Sequence, residues 1–252
     1  MSDSQSVLSV RGLEKSFGAL RVSQGIDLEL ARGARVGLIG PNGAGKTTLI
    51  NLLTGSLKPD GGTIALGGRE IQRLRAEQRV RHGLARTHQI NALLLEFSAL
   101  DNVAMAVAEH RGFGWRMLRS KRVWRQCQEE AEQYLLPMNL GAVLDRTVSH
   151  MAYGQQRLLE IAIALALQPS VLLLDEPAAG VAAGEARAIH EQLHRLPAHV
   201  AVLMVEHDMD LVFSFAQEIV VMILGSILVR GTPAQIERGP RVRDAYLGKA
   251  RA

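Results

Sequence analysis

The hydrophobic rhythm of the chain changes twice. Over the first third, short apolar or alternating runs at 8–13, 26–30, 35–39 and 63–66 are separated by Gly, Asp and Pro, most clearly at Lys58-Pro59-Asp60-Gly61-Gly62. That pattern predicts strands joined by turns. A further strand is expected at 84–87. Between about 91 and 149 the texture becomes helical, with helices predicted over 101–109 and 120–136 and few strand formers between them. From Gly154 helix and strand alternate again: a helix through Leu167, an apolar strand at 171–174, a helix at 184–195 and a strand at 200–205. Continuous apolar strands alternating with helices imply a parallel sheet covered on both faces, so the expected class is α/β with a helical insertion.

Composition sharpens this picture modestly. With 252 residues, 47% hydrophobic and 21% charged, the chain is an ordinary globular sequence long enough for a substantial core. Aromatics make up only 4%, so Leu, Ile, Val and Ala must fill that core. The net charge of +4 comes from Arg scattered along the chain; it suits an anionic ligand or a membrane surface and selects neither. One cysteine, Cys127, allows no intrachain disulfide, which fits a reducing compartment. Residues 1–6 lack the basic-then-apolar layout of a signal peptide. The longest apolar run, 219–229, contains Gly225 and Ser226 and is too short to cross a bilayer. A cytosolic or peripherally attached protein is expected.

The strongest chemical signal is Gly40-Pro41-Asn42-Gly43-Ala44-Gly45-Lys46-Thr47-Thr48, a complete G-x-x-x-x-G-K-[ST] loop. An apolar strand at 35–39 leads into it and a helix is predicted over 48–54. Glycines let the backbone curl until successive N–H groups point at phosphate oxygens, and the helix adds its positive end. Lys46 is expected to reach the β- and γ-phosphates of ATP, and the Thr47 hydroxyl to ligate Mg²⁺. A chance glycine-rich turn would lack this strand and helix on either side.

Val171-Leu172-Leu173-Leu174-Asp175-Glu176-Pro177 places two carboxylates at the carboxyl end of a buried strand, the edge at which parallel sheets form their ligand crevice. Asp175 can hold Mg²⁺, directly or through water, and Glu176 can orient or deprotonate an attacking water. A solvated Asp-Glu pair is the plain alternative, made less attractive by the phosphate loop. His207, in Val205-Glu206-His207-Asp208, ends another apolar strand at the same edge; it is either structural or a sensor of the γ-phosphate. Gln89 follows the strand at 84–87 and leads into the helical stretch, a weak signal by itself.

These elements, in this order, resemble the ABC ATPases over nearly the whole chain. The stretch Met151-Ala152-Tyr153-Gly154-Gln155-Gln156-Arg157 resembles the family signature, usually Leu-Ser-Gly-Gly-Gln. Its Tyr-Gly-Gln-Gln-Arg form is similar to that of branched-chain amino-acid-type importers. So are Asp175-Glu176-Pro177-Ala178-Ala179-Gly180, Glu206-His207-Asp208-Met209, Gly231-Thr232-Pro233 and Ala245-Tyr246-Leu247-Gly248.

The resemblance implies a P-loop NTPase core with a mixed, largely parallel sheet, a β-rich N-terminal edge and an inserted helical subdomain. The whole chain, 1–252, would be one ATPase domain, with 1–90 and 150–252 as the nucleotide-binding core and 91–149 as the subdomain that meets the membrane partner. Phe17 would stack on adenine, although an ordinary core Phe is the alternative there. Gln89 would be the Q-loop residue, a catalytic group and metal ligand, Glu176 the catalytic carboxylate and His207 the H-loop histidine. Ala152, Tyr153, Gly154 and Gln155 would close over ATP held by a second ATPase subunit. The remaining implied partners are transmembrane permeases and, indirectly, a solute-binding protein, with the chain on the cytoplasmic face of the cell membrane. The sequence departs from the family at Ala152, where serine is usual, at Tyr153 for Gly, at His88 for Phe, and at Val181-Ala182-Ala183 for Leu-Asn-Pro.

The stretch 111–125 mixes six cations with three aromatics. It fits lipid headgroups or a membrane subunit, nucleic acid, or simply a solvated basic helix with Trp packed inward. Three functions therefore stand side by side. A transport ATPase in a homo- or heterodimer leads. A nucleic-acid-linked ATPase would typically carry a long coiled coil or a second cassette, so no nucleic acid is expected. A low-activity regulatory subunit is suggested by Ala152 and Ala182 and opposed by Lys46, Asp175, Glu176 and His207.

Overall fold

The computed structural model describes residues 6–87, 93–114 and 120–239. Gln89, His88, the stretch 115–119 of the basic segment and Ala245-Tyr246-Leu247-Gly248 lie outside the described residues.

The first two strands, β1 (Ser6–Phe17) and β2 (Leu20–Ala31), are longer than the sequence pattern predicts. They pair as one antiparallel ribbon whose register shifts between Ser6 and Leu8 and three times between Val10 and Ser16, and such irregularities blur the period-2 alternation. With β4 (Gly61–Leu66) and β5 (Arg69–Glu70) they form an antiparallel sheet in the order β2-β1-β4-β5.

The second sheet has the order β10-β9-β3-β8-β7-β6. Its strands β3 (Arg35–Ile39), β6 (Leu84–Arg86), β7 (Val171–Asp175), β8 (Ala201–Val205) and β9 (Glu218–Ile223) run parallel. Strand β10 (Ser226–Gly231) folds back antiparallel on β9. The apolar run 219–229 is therefore a hairpin, turning at Leu224-Gly225, where φ is positive at both residues.

Alternation along the central strands divides the interior in two. Leu172 and Leu174 face one core, and Leu173 between them faces the other. The first core is closed by helices α3 (Ala99–His110), α4 (Lys121–Leu135), α5 (Tyr153–Ala166), α6 (Ala183–His194) and α7 (Met209–Phe215). The second is closed by α1 (Lys46–Thr54) and the antiparallel sheet, through Leu49, Leu52, Leu8 and Leu28. Two short helices, α2 (Ala76–Arg81) and α8 (Pro233–Arg238), complete the α-helices of the described residues.

Helices α3 and α4 start where capping residues permit. Ser98 Oγ accepts from Asp101 N at 3.0 Å and Ser120 Oγ from Val123 N at 3.4 Å, interactions of about 1 kcal/mol each. Helix α4 buries Cys127, Ala131 and Leu135, one stripe at four-residue spacing. Its Trp124 packs against the core while Arg122 and Arg125 stay exposed, so residues 121–125 of the basic segment are a solvated helix start with the indole turned inward.

Because β3, β6, β7 and β8 are parallel, the segments leaving them emerge at one edge of the sheet. The chain there supplies the loop from Gly40, Thr87, Asp175-Glu176 and Glu206-His207.

Candidate active site

The loop after β3 is held by backbone contacts on two sides. Gly45 has φ +99°, and a Cβ there would lie 2.8 Å from the Val22 carbonyl oxygen of β2. A Cβ at Gly40 would lie 2.3 Å from the Met222 carbonyl oxygen of β9. Gly225 N donates to Ala44 O at 3.0 Å, and Gln24 N donates to Gly225 O at 2.8 Å. The loop is thus wedged between the antiparallel sheet and the β9–β10 hairpin, with room only for hydrogen at positions 40 and 45. Pro41, Asn42, Gly43 and Thr47 face solvent, and Ala44 is buried beneath them. Helix α1 opens at Lys46, two residues before the predicted start, so Lys46, Thr47 and Thr48 form its first turn and their N–H groups border the loop.

Lys46 is 7% exposed, and its Nζ donates to Gly40 O at 2.6 Å and Pro41 O at 3.1 Å. Burial pushes its ammonium below the ordinary lysine value, and the charges of Glu176 and Asp175 act in the opposite direction. The two acids therefore share the electrostatic environment of the loop lysine.

Asp175 ends β7 with 6% of its side chain exposed. Its Oδ2 accepts from Arg86 Nη2 at 2.6 Å, and Arg86 Nη1 donates to Asn51 Oδ1 at 2.8 Å. Sequence reasoning missed Arg86 altogether. The only hint was a cation at the end of a strand, and its partners lie 35 and 89 positions away.

Glu176 adopts φ +49°, a left-handed conformation that is uncommon for a non-glycine residue, and its N–H donates to Val205 O at 2.9 Å. His207 Nε2 lies 2.5 Å from Glu176 Oε1. The neighbouring Glu206 is buried and turns inward, accepting from His207 N at 2.7 Å and Ala178 N at 3.3 Å. Glu206 thereby fastens the segment after β8 to the segment after β7.

Phe17 ends β1 with 49% of its surface exposed, which removes the core-Phe alternative. Lys15 Nζ stands 5.5 Å from its ring centroid and also donates to Asp60 Oδ1 at 2.8 Å. Asp60 is held below the usual carboxylate range by that bond and by Ser16 N.

Ala152, exposed and extended, is the N-cap of α5; Tyr153 is the helix's first residue. Gln155 Oε1 accepts from Ala152 N at 3.2 Å, and Gly154 N donates to Glu185 Oε2 at 3.1 Å. The Tyr153 hydroxyl accepts from Arg157 Nη2 at 2.6 Å, and the same guanidinium lies 4.9 Å from the Tyr153 ring centroid. Glu185, on α6, is a second contact the sequence did not reveal.

A phosphate-type loop after β3, two carboxylates at the end of β7 and a histidine after β8 define a P-loop α/β nucleotide-binding domain. The family described as ABC transporter matches residues 23–179, and the chain belongs to that family. It is 41% identical over 256 residues to the high-affinity branched-chain amino acid transport ATP-binding protein BraF of Pseudomonas aeruginosa, covering 98% of this chain and 100% of that protein. With LivG of Escherichia coli, another high-affinity branched-chain amino acid transport ATP-binding protein, identity is 40% with the same coverage. Among solved structures, the ADP conformation of MJ1267, an ATP-binding cassette of an ABC transporter, superposes with a TM-score of 0.84 at 29% identity, covering 97% of this chain and 100% of the other. No helix among the described residues is long and apolar enough to cross a membrane.

Proposed function

We propose that the chain binds ATP at residues 40–48 and hydrolyses it to ADP and phosphate as the ATP-binding subunit of an importer for branched-chain or other amino acids. The observation that carries this reading is Lys46, buried at the loop with its Nζ on the Gly40 and Pro41 carbonyls, where the charges of Glu176 and Asp175 oppose the effect of burial on its ammonium. A lysine so placed can follow the β- and γ-phosphates with little reorganisation.

The donor set suits Mg²⁺. The exposed Thr47 hydroxyl at the start of α1 and the Asp175 carboxylate are hard oxygen ligands, as that cation prefers. When bound, Mg²⁺ would neutralise charge on the phosphate oxygens. Gln89 is assigned to the same site from the family resemblance. Glu176 would orient and deprotonate the attacking water, while His207 steadies that carboxylate and responds to the γ-phosphate. Phe17 offers its exposed ring to adenine.

Ala152, Tyr153, Gly154 and Gln155 would contact ATP bound by a second ATPase subunit, most simply a related chain in a heterodimer. Ala152 lacks the hydroxyl usual in the family, which in principle removes about 1.5–3 kcal/mol of interaction with a charged oxygen. Turnover slower than in serine-bearing relatives follows. ATP gripped by both halves only in the closed pair shifts the open–closed balance by its differential affinity. Residues 1–90 and 150–252 act as the nucleotide-binding core and 91–149 as the subdomain facing the permeases. Leu94, Leu95 and Phe97, each nearly half exposed, offer that partner an apolar contact.

The test is phosphate release by the purified chain, alone and assembled with a second cassette and its permeases. Mg²⁺-dependent hydrolysis in the assembly is expected; tight ATP binding without hydrolysis there would leave a regulatory subunit instead.

A further inference from the structure

Thr47 and Asp175, the two described residues assigned to Mg²⁺, belong to different elements, α1 and β7. What fixes their separation is therefore a structural question of its own. Arg86 bridges those elements. It stands on β6, the neighbour of β7, in register with Leu173, two residues before Asp175 on the same strand face. Its guanidinium donates one arm to Asp175 Oδ2 at 2.6 Å and the other to Asn51 Oδ1 at 2.8 Å. Asn51 lies one turn after Thr47 on α1, so the two residues share a helix face. The bridge from Asn51 to Asp175 thus runs alongside the gap between Thr47 and Asp175, one helical turn deeper.

We propose that Arg86 is a positioning residue of the cation site, a cross-brace that sets the Asp175 carboxylate at a fixed distance from the Thr47 hydroxyl. This rests on the reading of Asp175 as the Mg²⁺ carboxylate. Arg86 is 14% exposed and Asp175 6%. A buried pair of this kind contributes little net stability compared with apolar residues of equal volume, so stability alone gives no reason for charges at this spot. The planar guanidinium has a rigid fork of donors that can serve two acceptors in fixed directions, which a lysine ammonium cannot. With Oδ2 committed to Arg86, the carboxylate's rotation is restricted and Oδ1 is left to face the cation.

The experiment compares wild type with Arg86→Met, Arg86→Lys and Asn51→Ala. Mn²⁺ serves as the metal probe, its binding to ADP-saturated protein read by electron paramagnetic resonance, and ADP affinity is measured separately in EDTA. Expected is a roughly tenfold weakening of Mn²⁺ binding in Arg86→Met, as for loss of other residues that orient metal ligands. Arg86→Lys should be nearly as weak and Asn51→Ala intermediate, with ADP affinity in EDTA unchanged in all three. Mn²⁺ binding equal to or tighter than wild type in the folded variants would overturn the brace and leave the ATPase reading standing. Failure of wild type itself to bind ADP and Mn²⁺ would overturn that reading, and the brace with it. Should Arg86→Met not fold, Arg86→Lys and Asn51→Ala decide alone.

Discussion

His207 Nε2 and Glu176 Oε1 lie 2.5 Å apart although 31 positions separate them in the chain. The contact joins the segments leaving β7 and β8 and restrains the carboxylate assigned to activate water. Loss of the imidazole leaves Glu176 present but removes this restraint on its carboxylate. His207→Ala should therefore keep ATP binding while hydrolysis by the assembled transporter falls roughly a hundredfold, the scale of an ångström-sized misplacement. Single-turnover measurement of phosphate release checks this; an unchanged rate would show that Glu176 needs no such restraint.

Lys46 donates to two loop carbonyls from a buried position. Lys46→Ala removes a charged donor worth about 1.5–3 kcal/mol per hydrogen bond. ATP affinity should fall by about one to two orders of magnitude per bond lost, measured by equilibrium binding. Retained tight binding would contradict the assignment of the loop.

Gly40 has no room for a methyl group, since its Cβ would stand 2.3 Å from a backbone oxygen that cannot rotate away. Gly40→Ala must shift the loop against β9. A cost of about 1–3 kcal/mol in urea unfolding is expected, together with weakened nucleotide binding. A neutral result on both would mean the hairpin yields easily.

Arg79 is 1% exposed and donates to the carbonyls of Leu52 and Leu53, in the last turn of α1, and to those of Leu74 and Gln72. Burial lowers its pKa from the ordinary arginine value. It closes the far end of the same helix whose first turn borders the phosphate loop. Arg79→Met strands buried acceptors at about 1–3 kcal/mol each, so a loss above 3 kcal/mol in urea unfolding is expected. A change under 1 kcal/mol would show that water or the chain satisfies those carbonyls readily.

What the sequence made legible is what local order encodes. The loop at 40–48 and the apolar strand ending in Asp175 are contiguous patterns, and the structure sets them on one sheet edge as expected. His207 was readable as the end of an apolar strand because β8 is buried on both faces. The contacts of Arg86, Arg79 and Glu185 were not legible, because each joins residues brought together only by the sheet order and helix packing. The run 219–229 carried no element assignment, because apolar composition alone does not distinguish one strand from two joined by a tight Leu-Gly turn. Gln89, assigned from the family resemblance, lies outside the described residues.

The central claim is that Glu176 works on a nucleotide held by the 40–48 loop, and Glu176→Gln tests it most directly. The substitution keeps shape and removes the basic oxygen, so ATP binding to the assembled transporter should persist and the closed dimer should accumulate. Phosphate release should fall by about a hundredfold or more, the usual contribution of a positioned general base. Hydrolysis at the wild-type rate by the Gln variant would contradict the account.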